Sequence, residues 1–83
     1  MTIEQFETLK SGDMVRTPVV VNDEIIKLTA EVIDKEVHTI REVPNKPELT
    51  VCKYMVHIRV ITPRKQFRNR TAWVDILTLE KGR

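Results

Sequence analysis

Residues 50–61, TVCKYMVHIRVI, alternate without a break. Cys52, Tyr54, Val56, Ile58 and Val60 fall on one parity, and Lys53, Met55, His57 and Arg59 fall on the other. A strand turns successive side chains to opposite faces, so this stretch predicts a strand with one dry face and one wet face. It is the natural centre of a small sheet, and the other segments must cover its apolar side.

The rest of the chain reads as partners for that strand. Residues 2–11 predict a short helix. Thr2 and Gln5 form a capping-box pattern, Ile3, Phe6 and Leu9 make a narrow apolar stripe, and Gly12 supplies a left-handed residue after the last turn. Met14–Val21 predicts a strand at an edge or with a bend, because Pro18 lacks a ladder donor. Asn22-Asp23-Glu24 is a turn signal. Ile25–Asp34 alternates again, Asp34-Lys35-Glu36 reads as a bulge, bend or tight turn, and β-branched Val37–Val43 predicts a further strand. The spacing there also fits a helix, which those β-branched residues favour less. Pro44–Glu48 is a loop, Thr62-Pro63 ends the central strand, Arg64–Arg70 is a second loop, Thr71–Leu79 predicts the last strand, and 80–83 a frayed tail. The expectation is one domain over 1–83: a helix at 2–11 docked on an open end of a small barrel at 13–79, with about five antiparallel strands.

Composition narrows the class. With 83 residues, 41% hydrophobic and 31% charged, the chain is a single small globular unit. The lone Cys52 excludes an internal disulfide and, with no signal-peptide pattern at the start and no long apolar run, predicts a cytoplasmic protein without a membrane segment. Charge is uneven. Residues 1–48 carry 6 Lys/Arg against 10 Asp/Glu, net −4, and residues 49–83 carry 8 against 2, net +6, which sum to the overall +2. Such polarity steers charged partners to one side.

The residues F-x-x-L-K-x-G-D-x-V (Phe6, Leu9, Lys10, Gly12, Asp13, Val15), the later Ala30 and Val32, and the closing W-V-D-I-L of Trp73–Leu77 resemble SH3-like small β-barrel modules. The resemblance implies a mainly β barrel entered through a Gly-Asp turn. Such barrels host nucleic-acid, peptide and structural roles, so the resemblance assigns no function. The aromatic groove of a proline-binding SH3 domain is missing.

The basic segment is the leading functional feature. Arg59, Arg64, Lys65, Arg68 and Arg70 occur with no acid between them, Phe67 lies among them, and Lys53 and His57 share the outward face of the central strand with Arg59. Cations neutralise phosphates and an exposed ring stacks on a base. This predicts a non-enzymatic module binding DNA or RNA with low specificity, with phosphates on the loop cations and Phe67 as the platform. The same cations also suit an acidic protein surface or plain solvation. The alternative is a protein–protein adaptor or small inhibitor, of the sort phages and mobile elements encode, using Trp73, Phe67 and the edge around Met14–Val21. An open edge also invites self-pairing into a dimer. Trp73 shares the outward parity with Asp75. A register reversal would instead make it core, and a thin core with few aromatics weighs toward that second placement. His38, His57 and Cys52 have no metal-ligand spacing, Cys52 reads as a core thiol, and Asp13 and Asp75 fit structural roles, so neither cofactor nor catalysis is expected.

Overall fold

The computed structural model describes residues 1–62 and 64–82. Pro63, expected to end the central strand, and Arg83, in the expected tail, lie outside the described residues. Strands β1 (Met14–Val21), β2 (Glu24–Arg41), β3 (Val51–Val60), β4 (Thr71–Asp75) and β5 (Glu80–Lys81) form one antiparallel sheet, in the order β4-β3-β2-β1-β5. Helix α1 (Ile3–Thr8) lies on one face. The mainly β class is as the alternation indicates, but the barrel is not closed. Strand β4 lies at one side of the sheet. At the other, β5 pairs only Val15 and Arg16, so the rest of the expected edge strand, residues 17–21, has no partner on its outer side among the described residues.

The reason lies in β2. Asp34-Lys35-Glu36 does not turn the chain, so the two strands expected on either side of it are one strand of 18 residues. A bulge between Val32 and Asp34 leaves Ile33 as the extra residue. One extra residue exchanges the faces. Leu28, Ala30 and Val32 point inward before it, and Lys35, Val37 and Thr39 share the inner face after it, opposite Val56, Tyr54 and Cys52 of β3. A second register shift, between Thr39 and Arg41, falls inside Val37–Val43 and breaks the pattern there. With the third strand spent on lengthening the second, only β5 is left at the far side, and its two residues pair Val15 and Arg16 rather than fraying.

Local chemistry sets the other elements. Thr2 Oγ1 accepts from Gln5 N at 3.1 Å and Gln5 Oε1 accepts from Thr2 N at 3.0 Å, a reciprocal capping box. The helix stops at Thr8, earlier than expected. A turn follows in which Asp13 N donates to Lys10 O at 3.0 Å, Asp13 Oδ2 accepts from Lys10 N at 2.8 Å, and Gly12 takes φ of 95°. The last-turn carbonyls of Phe6 and Glu7 receive the Lys35 ammonium at 2.8 and 2.9 Å. A cation from the sheet therefore holds the negative end of the helix. Asn22 and Asp23, at φ of 50° and 64°, make a two-residue hairpin turn. Counting from its closing pair Val21/Glu24, Pro18 falls where a residue's N–H points away from β2, past the reach of β5, so the missing donor breaks no ladder bond.

The core gathers Phe6 and Leu9 with Val15, Leu28, Ala30, Val32, Val56, Ile58, Val60, Ile76 and Leu79. The last two come from a departure from expectation. Thr71–Leu79 is not one strand: Asp75 Oδ1 accepts from Leu77 N at 3.0 Å and starts a single 3-10 turn over Ile76–Thr78. Residues three apart eclipse in that geometry, so Ile76 and Leu79 both reach the core while Leu77 points to solvent. The amino terminus of Met1 donates to Ile76 O and Leu79 O at 3.1 and 2.6 Å.

The molecule is long for its size. Its radius of gyration is 14.5 Å and its extents are 50 × 29 × 17 Å, against a radius of about 12 Å for a compact chain of this length. The β2–β3 hairpin projects beyond the region that α1 covers.

Candidate functional site

The outer face of the sheet carries Lys53, His57 and Arg59 on β3, but not as a free basic stripe. Cross-strand neighbours on β2 place Glu31 beside Arg59, Asp34 beside His57, Glu36 beside Met55 and His38 beside Lys53. Arg59 forms a salt bridge with Glu31, and His38 Nε2 lies 2.7 Å from Glu36 Oε2. The acids of the first half of the chain thus sit among the cations of the second, and the face is mixed in sign. Sequence position alone concealed this, because antiparallel pairing interleaves the two halves.

Trp73 lies on this outer face, 41% exposed, which overturns its placement in the core. It is directly opposite His57, and the two rings stack with centroids 4.7 Å apart and planes 12° from parallel. The core does without it by using aliphatic side chains and Phe6, whose ring meets Tyr54 edge-on at 5.2 Å and 75°.

The Arg64–Arg70 loop lies at the opposite end of β3 from the projecting hairpin. Its return is fixed by Asn69 N donating to Val60 O and Val60 N donating to Arg70 O, both at 2.8 Å, with Asn69 at φ of 64°. Arg64, Lys65 and Arg70 are exposed, and among the described residues no salt bridge holds them. Arg68 is engaged, its Nε donating to Thr62 O at 3.5 Å. Phe67 is not a free platform: it is half-buried against the core, and the Arg70 guanidinium lies 5.8 Å from its ring centroid. The sequence-predicted set therefore divides into a cationic loop and a separate sheet face of mixed charge carrying the His57–Trp73 stack.

The remaining candidates have structural duties. The carboxylates of Asp13 and Asp75 hold turns, as given above. Cys52, expected in the core, is only half-buried, at the start of β3 where the hairpin projects. Among the described residues, no cluster of His, Cys, Asp and Glu is arranged to hold a metal ion, and no helix is long and apolar enough to cross a membrane. A surface concavity of about 560 Å³ is lined by Met14, Arg16, Thr29, Glu80, Lys81 and Gly82. There the Lys27 ammonium bonds Glu80 at 2.7 Å and holds that carboxyl below its ordinary pKa. Sequence reasoning missed the exposed hairpin arm, whose irregular patterning over Val37–Val43 was the available signal. The chain matches no protein-family model, no curated protein and no solved structure.

Proposed function

We propose that the protein is a non-enzymatic module that binds nucleic acid through the Arg64–Arg70 loop. The observation that carries the reading is the contrast in charge pairing. Arg59 on the sheet face is neutralised by Glu31, whereas Arg64, Lys65 and Arg70 stand exposed along the loop with no salt bridge among the described residues. Cations without a carboxylate release the counterions of a phosphate backbone on binding. With Phe67 packed inward, the contact is to backbone rather than to bases, so it is low in sequence specificity and open to DNA and RNA alike.

A second reading, a protein partner, draws on Trp73. It stands half-exposed in the middle of the edge strand β4, with solvent-facing Leu77 just beyond. Half-exposed tryptophan is a frequent anchor of protein interfaces.

Fluorescence anisotropy with random single-stranded DNA and RNA oligonucleotides separates them. About three phosphate contacts to a single strand should make affinity fall roughly 20-fold between 50 and 200 mM salt. The double variant Arg64→Glu with Lys65→Glu should lose binding while keeping the wild-type melting curve, since exposed charges contribute little to stability. No binding at the lower salt, or binding indifferent to the double substitution, sinks the nucleic-acid reading. Retention of a defined protein that Trp73→Ala releases would then support the second.

A further inference from the structure

The sheet leaves one long backbone edge open in an unusual place. On the β1 side of β2, the pairing runs from Glu24 to Glu31 and is carried to Val32 by Gly12 N donating to Val32 O and Val32 N donating to Asp13 O, both at 2.8 Å. Beyond Val32, among the described residues, no backbone bonds this edge, although β2 continues to Arg41. The edge also carries exposed apolar side chains, with Val37 at 51% and Ile40 at 61%. An open edge with apolar residues is a template for another strand. The chain exposes 6192 Å², against roughly 5,100 Å² for a compact monomer of its mass.

We propose that this edge is covered by the same edge of a second copy, in an antiparallel pair centred on Val37. The argument is charge complementarity under symmetry. Two copies related by a two-fold axis normal to the sheet place residues at equal distances either side of the axis opposite one another, on the same face. An axis at Glu36 sets Glu36 against its own copy. An axis at Lys35 does the same with Lys35 and opposes Asp34 to Glu36. An axis at His38 sets imidazole against imidazole. An axis at Val37 joins Val37 to Val37 on the inner face and crosses Glu36 with the copy's His38 twice on the outer face. Glu36 and His38 already pair within one chain at 2.7 Å, so four alternating groups close into one cluster. The second bulge, between Thr39 and Arg41, ends the regular ladder just past this segment. The contact is a single short strand pair, at the small end of specific interfaces, so association is weak and concentration-dependent. It is independent of the loop chemistry at the other end of the sheet.

Sedimentation velocity across about 10 to 500 μM protein tests this. The apparent mass should rise from the 9.7 kDa of one chain towards twice that value. Glu36→Lys alone and His38→Glu alone should each remain monomeric, because the first sets an ammonium against His38 in place of its carboxylate partner and the second opposes glutamate to Glu36 twice across the axis. An equimolar mixture of the two variants should associate again, because the lysine introduced in one chain then faces the glutamate introduced in the other. The unaltered His38 and Glu36 of the two chains face each other as before. In a Cys52→Ser background, Val37→Cys should oxidise to a covalent dimer and Thr39→Cys should not. A monomer at every concentration overturns the proposal, as does a dimer that survives both single charge changes. Equal cross-linking at positions 37 and 39 also overturns it. Melting curves of the charge variants, expected to match wild type, separate loss of association from loss of fold.

Discussion

Leu28, Ala30 and Val32 on β2 and Val56, Ile58 and Val60 on β3 are no more than 8% exposed, while Val37 and Thr39, farther along the same inner face of β2, are exposed, Val37 at 51%. Both halves of the ribbon are rich in β-branched residues, so propensity does not separate them. Cover does. The helix has six residues and spans about 9 Å, whereas β3 has ten and runs about 33 Å. Phe6 and Leu9 close over the middle of the ribbon, Ile76 and Leu79 join the same core, and the far end of the hairpin has nothing above it. Alternation states which face of a strand is apolar. Whether that face is dry depends on the length of what lies over it.

The largest expected effect breaks the comparison at its packed half. Ile58→Ala should destabilise the domain by about 3 kcal/mol, from lost burial and the cavity left behind. Val37→Ala on the arm should change stability by less than about 0.5 kcal/mol. Urea unfolding at low micromolar concentration gives both numbers, with Ile58→Val as the milder probe should the alanine variant not fold. Comparable losses at the two positions would mean that the arm is packed in solution.

Lys35 stands at the boundary between the two halves. It is a charged residue on the inner face, turned there by the bulge at Ile33, and it holds the last carbonyls of α1 with its ammonium 5.1 Å from the Phe6 ring centroid. Lys35→Met keeps the stem and removes the donors. The expected cost is about 1 to 2 kcal/mol, from two charge-assisted bonds partly replaced by water. Amide exchange should accelerate in Gln5–Leu9 and stay unchanged in β2. Uniform acceleration across the sheet would show that Lys35 supports the core rather than the helix end.

The same contrast marks what the sequence made legible. The alternation of β3, the capping box of Thr2 and Gln5 and the Asn22-Asp23 turn each depend on a few adjacent residues, and each is found where those residues are. The misses depend on choices between local geometries of similar energy. Asp34-Lys35-Glu36 suits a turn or a continued strand, and the bulge one residue earlier decides it. Thr71–Leu79 alternates well enough for a strand, yet the Asp75 side chain starts a 3-10 turn and brings both Ile76 and Leu79 inward. Barrel closure failed for want of a strand. Trp73 was drawn toward the core by the scarcity of aromatics, when its parity with Asp75 already turned it outward, to the face where the register sets it opposite His57. The basic segment was visible as composition, but its division into a paired sheet face and an exposed loop needed the register.

The other edge of the sheet supplies the smallest and most local test. There β1 is covered by the two residues of β5, and the pair Lys27–Glu80 clasps them across the strand. Hydrogen bonds from the Lys27 ammonium, helped by its charge and that of Arg16, hold the Glu80 carboxyl below its ordinary value. A carboxyl lowered in the folded state binds its proton less readily there than in the unfolded chain. Its contribution is therefore present above the unfolded glutamate value and fades as pH falls through the folded one. In an NMR pH titration, the Glu80 side-chain carbon should show its midpoint below the ordinary glutamate value, and Lys27→Met should move it up toward that value. The same substitution should speed exchange of the Lys81 and Gly82 amides, leaving β3 untouched. If β5 keeps its protection without the clasp, the backbone bond from Gly82 N to Met14 O, 2.9 Å long, is what covers that edge. The arm of β2, which has neither a clasp nor such a bond among the described residues, would then differ from it by a single short ladder.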